Sequence, residues 1–570
     1  MDDKTKSIIR KYAIKNAAEY GKASVSAVLN KVISIMPELK ADIKSLATAV
    51  EEVVREVNSL SAEDVKKEFD ANLEEFVAAK REKVEKTSKP HMELEGAVEG
   101  DFATRFPPEP NGYMHIGHAK AAFLEKTFKE MYKGKMFLYF DDTNPETERQ
   151  EYVDAIKYDL SWLGIKFDRE YYASDNVEIM YEYAEEMIKR GKAYACTCSI
   201  EQMKANRKAG AACIHKSNTK AENLQMWEEM LLGKFGEDEA VLRFNGDMKS
   251  QNTTMRDLVL FRIKKSKHYR QADKYSVWPT YNFNTPIMDS INGVTDVIRS
   301  KEYELSDELY YSILDSLGLK KPRIHSIARL EISGNITSKR KLNKLMKSGV
   351  ITGYDDPRLI TIAGLRRRGI TPTAIEEFVL KFGMSKTDSK IGIEALLAEN
   401  RKVIDATSKR LFAVENPRVL VVENADSQEV KIRLHPTSDL GYREYNIGNS
   451  FYIDGKDASK LKVGDTVKLK DLYEVAIASV GKEIRAKRTE PHESSPKIQW
   501  VDARKNVECK LIRIAPLMLN NEELNPKSLV ETKAYAEEYA RNLKENEIVQ
   551  FERLGFFKFD GKSDMSFLSL

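Results

Sequence analysis

The chain reads as a multidomain α/β protein. It has a doubly wound domain carrying an insertion, a helical module ahead of it, and a helical segment and antiparallel β-barrels behind it. Three observations predict this. Its 570 residues exceed the roughly 250–300 that one hydrophobic core serves. From about residue 100, short apolar strands alternate with amphipathic helices, the pattern of a parallel sheet wound on both faces. From Arg418 the texture turns to β-branched or alternating runs separated by turn residues, an all-β signature.

The elements follow in order. Within residues 1 to about 85, Ile8, Ile9, Tyr12, Ala13 and Ala17 recur at helical spacing, as do Val50, Val53, Val54 and Val57, with charges between them. Lys86–Glu95 (KTSKPHMELE) is polar, contains Pro90 and reads as a linker, so a first unit spans 1–95. Lys135–Phe140 (KMFLYF) is a strand ending in the acidic turn Asp141-Asp142-Thr143-Asn144-Pro145, and Tyr152–Leu163 is an amphipathic helix. Both belong to a first half of the doubly wound domain, 96–190. Residues 191–272 break the alternation, as an insertion does. The parallel sheet is expected to resume at Trp278-Pro279-Thr280-Tyr281 and to continue through Gly293–Arg299, within 273–340. Helices dominate 341–412. Barrel strands are expected in 413–570 at VLVVEN, VKIRLHP, FYID, TVKLKDLYEVAIASV and ECKLIRI.

Hydrophobic content of 42% with 32% charge is globular rather than disordered. The net charge of +3 gives no global field, so any nucleic-acid surface must be local. Candidate patches are Lys264–Arg270, Arg340–Lys347, Arg366-Arg367-Arg368 and Lys482–Arg488, each of which alone reads as a solvated face. The start Met1-Asp2-Asp3-Lys4 lacks the apolar core of a signal peptide. No apolar run approaches the ~20 residues that span a bilayer, and four cysteines make no disulfide framework in so long a chain. A cytoplasmic protein without a membrane partner is expected.

The most informative string is PPEPNGYMHIGHAK, residues 107–120. His115 and His118 lie one helical turn apart around Gly117. A helix start offers amide donors and a favourable dipole to a phosphate group, and imidazoles can add donors as charge builds in a transition state. A glycine there lets a nucleotide approach the backbone. A second element, Ser338-Lys339-Arg340 within ISGNITSKRKL, presents a compact lysine charge suited to a leaving pyrophosphate. By itself it is also what a surface basic loop looks like.

Together these two strings resemble the HIGH and KMSKS elements of class I aminoacyl-tRNA synthetases, and RFPPEPNGY with the following AKAA resembles the glutamyl and glutaminyl members. KYAIKNAAEYGKA and EEVVREVNSLS resemble the appended helical domain of the archaeal-type glutamyl-tRNA synthetases. The resemblance implies a Rossmann-type catalytic domain in two halves, 96–190 and 273–340. It implies an acceptor-stem insertion over 191–272, a helical stem-contact domain over 341–412 and anticodon-binding barrels over 413–570. It implies ATP with Mg2+, L-glutamate and tRNA(Glu), with tRNA(Gln) as a further substrate the sequence leaves open, and a monomer. His115, His118 and Lys339 are the implied catalytic residues. Glu109, Pro110, Asn111, Gly117, Ala119, Lys120, Ser300, Arg329, Leu330, Thr337 and Ser338 join them around ATP. Arg105, Asp141, Tyr281, Thr285 and Arg299 fall where the family contacts the amino acid, Asp141 near the α-amino group. Two departures stand out. Ile336 and Thr337 replace the usual Lys-Met of the second element, leaving Arg340 to take part of that role. Tyr139 replaces an arginine beside the acidic turn, whose support must then come from elsewhere.

Arg299 decides between the two members. Glutamyl enzymes resemble this chain in having arginine here, and glutaminyl enzymes carry a small uncharged residue; Thr285 stands where the latter have histidine. A buried guanidinium pairs with a side-chain carboxylate in a bidentate fork, and faced with a neutral amide it would remain uncompensated at a cost of several kcal/mol. The reading is a glutamate–tRNA ligase, the alternative a glutaminyl-tRNA synthetase. A smaller adenylyltransferase is opposed by GYDDPRLITIAGLRRRG and the long β region, and a non-catalytic descendant by the retained His115, His118 and Lys339.

Cys196-Thr197-Cys198 and Cys213-Ile214-His215 form a C-x-C…C-x-H set inside the insertion. Three thiolates and an imidazole suit tetrahedral structural zinc; reduced thiols without metal are the alternative. Cys509, in the β region, reads as a core residue.

Overall fold

The computed structural model describes residues 3–36, 43–71, 92–491, 495–520, 523–561, 563 and 565–570. Most of the expected linker, 86–91, lies outside them. The chain divides into two units, Met1–Lys89 and Pro90–Leu570. In the first, α1 (Asp3–Tyr20), α2 (Val25–Ile35), α3 (Ile43–Asn58) and α4 (Ala62–Ala71) bury Ile9, Ala13, Ala17, Val50, Val53, Val54 and Val57 in one core. These are most of the residues of the two helical stripes read from the sequence. The Asn58 side chain ties this core to the α1–α2 turn. It accepts from Ala23 N at 2.7 Å and donates to Ala23 O at 3.0 Å.

The second unit opens with β1 (Ala103–Phe106), α5 (Ile116–Met131), β2 (Lys135–Phe140), α6 (Gln150–Trp162) and β3 (Arg169–Tyr172). The strands pair in parallel, Ala103 with Lys135 and Phe137 with Arg169. Ile116, Ala119, Ala122 and Phe123 of α5 bury against Met136, Leu138 and Phe140 of β2. After α7 (Val177–Lys189), the chain forms a separate antiparallel sheet of β4 (Ala193–Cys196), β5 (Val241–Phe244), β6 (Val259–Ile263) and β7 (Val277–Pro279). Helices α8 (Ile200–Ala209) and α9 (Lys220–Leu231) interrupt it. This corrects the expectation that the parallel sheet resumes at Trp278. Val277–Pro279 pairs antiparallel with Phe261–Ile263, and Trp278 is fully buried. A three-residue apolar run carries no information about strand direction, so only pairing decides it.

The parallel sheet returns after α10 (Tyr281–Ile291), as β8 (Asp296–Ser300), α11 (Asp307–Leu317) and β9 (Arg323–Ile327). Thr295 N donates to Ala103 O at 2.8 Å, and Ala103 N to Thr295 Oγ1 at 2.9 Å. These bonds set β8 beside β1, giving the doubly wound order β3-β2-β1-β8-β9. The carboxyl ends of β1, β2 and β8 then share one edge, where ligands of such sheets sit. A small parallel pair follows, β10 (Leu330–Ile332) and β11 (Ser389–Ile391). Between and after these strands come α12 (Lys339–Lys347), α13 (Ile362–Arg368), α14 (Pro372–Leu380) and α15 (Ile393–Ile404).

Among the described residues, two seven-stranded sheets follow between Lys409 and Ser569, each around its own core. They are mixed rather than purely antiparallel. Arg418–Val422 runs parallel to Ile484–Thr489, and Asn506–Ile514 runs parallel to Ser566–Ser569. The parallel pairs join strands distant in sequence, and the antiparallel ones include both hairpins and distant strands, such as Ala413–Glu415 with Leu529–Glu537. Cys509 is buried in the second of these cores.

Arg366–Arg368, read as a solvated face, instead join α13 to its neighbours. Arg366 donates to Asp159 of α6 at 2.7 Å and Arg367 to Asp560 at 3.2 Å. Arg368 is buried and donates to Ser569 O and Ile514 O.

Candidate active site at the carboxyl edge of the sheet

Leaving β1, the chain runs through Pro107–Met114 to the start of α5. Ile116 N donates to Ile360 O at 3.1 Å and Ile362 N to Met114 O at 2.9 Å, so this helix start is gripped on both sides by main chain. His115 is the N-cap, in extended conformation. Its Nδ1 accepts from Gly117 N at 3.0 Å, while His118 Nδ1 accepts from His115 N at 3.2 Å. The two imidazoles thus form a reciprocal cap, the task that Ser and Glu perform in an ordinary capping box. Their rings stack 3.9 Å apart. Because both Nδ1 atoms are acceptors, a neutral ring carries its proton on Nε2. Desolvation by the surrounding protein pulls His118 down to about 4, although part of the residue stays open to solvent. Burial, His118 and Arg329 hold His115 well below the ordinary imidazole value. Gly117 has a reason beyond ligand approach: a Cβ there would stand 2.8 Å from His115 Cε1.

Lys339, the first residue of α12, meets this segment although 228 residues separate it from Asn111. Its ammonium donates to Asn111 O and lies 4.7 Å from the centre of the Tyr152 ring. Burial lowers its pKa, with Glu109 opposing. The approach to it, Ser333-Gly334-Asn335, is built in. Gly334 has φ +72°, a Cβ on it would meet Pro516 Cβ at 2.7 Å, and its carbonyl accepts from Met518 N at 3.0 Å. Leu517 and Met518 share a small core with Leu342, Ile351 and Leu359.

At the end of β2, Asp141 Oδ1 accepts from Asn284 Nδ2 at 2.9 Å. Desolvation, with Glu109 and Asp142 close by, pushes its carboxyl up to about 7. The support that Tyr139 cannot give comes from Arg262, which donates to Thr143 O at 3.2 Å and Pro279 O at 2.9 Å. Tyr139 instead meets the Asn284 amide. Asp142 faces inward, accepting from Ser174 N, Ser174 Oγ and Tyr269 OH, each at 2.8 Å.

Arg299, at the end of β8, is 7% exposed. It donates to Asp307 and, at 3.4 Å, to Tyr281 OH, and its guanidinium lies 5.2 Å from the Tyr310 ring centre. Arg105 is fully buried and forks onto Asp289 at 2.7 and 3.2 Å, and Asp289 also accepts from Tyr310 OH at 3.0 Å. Tyr281, Thr285 and Asp289 recur every four residues along one face of α10. Thr285 is buried with its hydroxyl unpartnered.

Of the remaining residues assigned to ATP, Lys120 is buried and donates to Ala328 O at 2.8 Å, which pins the turn carrying Arg329. Arg329 is an exposed partner of Glu302 at 3.0 Å, and Leu330, Ala119 and Pro110 are buried. Ser300 caps the following 3-10 turn, and Thr337 and Ser338 are exposed. Asn284, Asp289, Asp307, Tyr310 and Arg262 were not read from the sequence. The polar stripe on the otherwise apolar α10 is the signal that would have found the first two.

In the insertion, ligand atoms of Cys196, Cys198, Cys213 and His215 all lie within 4.8 Å of one another. Cys196 Sγ is 3.8 Å from Cys213 Sγ and 3.7 Å from His215 Nδ1, and Cys198 Sγ is 3.5 Å from His215 Nδ1. The Arg243 guanidinium, also buried, lies 3.8 and 3.7 Å from the sulfurs of Cys196 and Cys213.

Residues 101–406 match the model for tRNA synthetases class I (E and Q), catalytic domain, and 408–492 and 497–560 match the two anti-codon binding domain models of the same group. A glutamate–tRNA ligase of Nitrosopumilus maritimus is 43% identical over all of both chains, and one of Pyrococcus furiosus is 40% identical over 96% of each. A solved glutamate tRNA ligase from Elizabethkingia meningosepticum aligns with 54% of this chain and 70% of its own at 20% identity and TM-score 0.41. An imidazole-capped helix start faced by Lys339 thus sits within a chain matched along its whole length, and the chain belongs to the tRNA synthetases class I (E and Q).

Proposed function

We infer that the chain is a glutamate–tRNA ligase. A carboxylate oxygen of glutamate attacks the α-phosphorus of ATP and pyrophosphate leaves. A terminal ribose hydroxyl of tRNA(Glu) then attacks the glutamyl carbonyl and AMP leaves. Neither step needs a protein nucleophile, so the protein's task is positioning and stabilising charge. The observation that carries this reading is the reciprocal imidazole cap. The cap occupies the amides of His115 and Gly117 and leaves two Nε2–H donors at the positive end of the α5 dipole, a set suited to a triphosphate that brings its own Mg2+. Lys339 is the group for the leaving pyrophosphate. Asp141 serves the α-ammonium, and Arg299 with Tyr281 serves the side-chain carboxylate. Arg105, held by Asp289, backs that end of the pocket.

Charging purified tRNA(Glu) and tRNA(Gln) separately with glutamate and with glutamine tests the reading. Glutamate on tRNA(Glu) is expected, and loss of glutamate use in Arg299→Cys with the KM for ATP retained. Charging with glutamine alone would overturn it. The tRNA(Gln) arm decides whether glutamate is placed there as well.

The cysteine–histidine cluster supports structural zinc. Bonds of about 2.3 Å to sulfur and 2.0–2.1 Å to nitrogen give tetrahedral edges of about 3.8 Å between sulfurs and roughly 3.6 Å from sulfur to nitrogen, close to the spacings found. Three thiolates and Zn2+ carry one net negative charge, which Arg243 balances. One zinc per chain in gently purified protein, lost in Cys198→Ala, is the expected elemental analysis; metal-free protein would remove the assignment.

A further inference from the structure

Lys339 can act only if the first turn of α12 is held over the start of α5. Much of what holds it is aromatic. Tyr113, two residues before His115, stacks on Tyr354 with ring centres 4.2 Å apart and planes 28° from parallel. Tyr152 of α6 meets Tyr113 edge-on at 5.4 Å, and the Lys339 ammonium sits 4.7 Å from the Tyr152 ring centre. The hydroxyls are also used. Tyr354 OH donates to Asn343 Oδ1 at 2.6 Å, one turn beyond Lys339 on α12, and Tyr113 OH donates to Glu151 Oε1 at 2.6 Å. Tyr354 O accepts from Thr361 Oγ1 at 2.5 Å, and Thr361 is bridged by main chain to His115. One face of Tyr354 packs on the small core under α12, with Leu342, Ile351 and Leu359.

The three rings therefore come from three places: the run into the imidazole cap, α6, and the return segment behind α12. All are only half-buried, so none is simply filling a core. A flat ring loses little freedom when it is fixed, and a cation over its face is attracted by the ring quadrupole. An ammonium on four methylenes is otherwise free to wander.

We propose that Tyr113, Tyr152 and Tyr354 are positioning residues, an aromatic dock that sets Lys339 over the nucleotide. The proposal rests on the reading of Lys339 as the group that meets the leaving pyrophosphate. The dock touches no reacting atom; it acts through the lysine.

A double-mutant cycle on the full-length enzyme, read by glutamate-dependent ATP–pyrophosphate exchange with tRNA(Glu) present, tests it. Tyr354→Ala is expected to lower kcat roughly tenfold through misplacement of the lysine, with the KM for glutamate unchanged. Tyr354→Phe keeps the stack and should stay within about threefold of the parent rate. In a Lys339→Ala background, Tyr354→Ala should cost less than about twofold, because partners in one device are not additive. An equal cost in both backgrounds, with Lys339→Ala itself impaired, would overturn the dock while leaving the lysine's role intact. A Lys339→Ala enzyme at the parent rate would instead overturn the reading beneath it. If Tyr354→Ala does not fold, Tyr152→Leu, which removes the ring under the ammonium and leaves the Tyr113–Tyr354 stack, completes the same cycle with the same criteria.

Discussion

Both imidazoles at the start of α5 have their pKa pulled below the ordinary value, which favours the neutral ring. Each spends its Nδ1 lone pair on a backbone N–H of its own helix start, and desolvation disfavours the charged form. Both rings are held below the ordinary imidazole value, and the expected pH response passes to Asp141. Its carboxyl titrates at about 7, well above the ordinary carboxylate value. The ionised form that can hold an ammonium exists above that pH and is lost as pH falls through it. The expected outcome is a kcat/KM for glutamate that drops about tenfold per unit below pH 7, with kcat/KM for ATP flat from pH 6 to 8. Asp141→Asn should abolish the limb, and a limb that persists in that variant would assign it to another group. Gly117 is the residue with least latitude. Gly117→Ala puts a methyl 2.8 Å from His115 Cε1, which must turn the ring off its cap, and the adenylation rate should fall by roughly 10²-fold, as loss of a positioned donor does.

Helix α10 shows how one element orders several buried polar groups along a stripe. Three of its side chains stand at four-residue spacing: Tyr281 reaches Arg299, Thr285 holds a buried hydroxyl, and Asp289 clamps Arg105. Asn284, beside them, reaches back to Asp141. Tyr310 of α11 joins the two arginines, its hydroxyl on Asp289 and its ring beneath Arg299. The Arg105–Asp289 pair is fully enclosed, and removing one partner leaves an uncompensated buried charge. Asp289→Ala is expected to destabilise the α/β domain by about 3–5 kcal/mol, visible as an early transition in thermal unfolding. A variant that melts with the parent would show that water or a neighbour replaces the carboxylate.

At the scale of the whole second unit, the distal β-sheet is tied to the site through two routes. One is the arginine clamp of α13 onto Asp560, Ser569 and Ile514. The other is the loop at Pro516–Met518, which rests on Gly334 just before Lys339. Gly334→Ala tests the second route. Its left-handed φ and the 2.7 Å approach to Pro516 make the substitution cost about 1–3 kcal/mol. The expected readouts are a lowered melting temperature and a slower pyrophosphate exchange, with tRNA binding retained. A change in melting temperature alone would mean that the contact is purely structural. Among the described residues no helix is long and apolar enough to cross a membrane.

Several things are written locally in the chain and could be read there. The helical stripes of the first unit, the strand Lys135–Phe140 with its acidic turn, and the paired histidines depend on periodicity or on neighbours within four residues. So do the C-x-C and C-x-H pairs taken singly. What tertiary structure decided is which distant groups meet. The direction of Val277–Pro279 is set by its partner Val259–Ile263, not by its own three residues. The lowering of the His118 pKa comes from the protein packed beside it. The two cysteine pairs become one cluster only because Ala193–Cys196 and the turn at Cys213–Ser217 pack together. The partners of Arg299, Arg105 and Lys339 lie between 8 and 228 residues away. Sequence spacing carries the geometry of one helix turn or one strand; the pairing of buried charges across the sheet is fixed only when the chain excludes water from both at once.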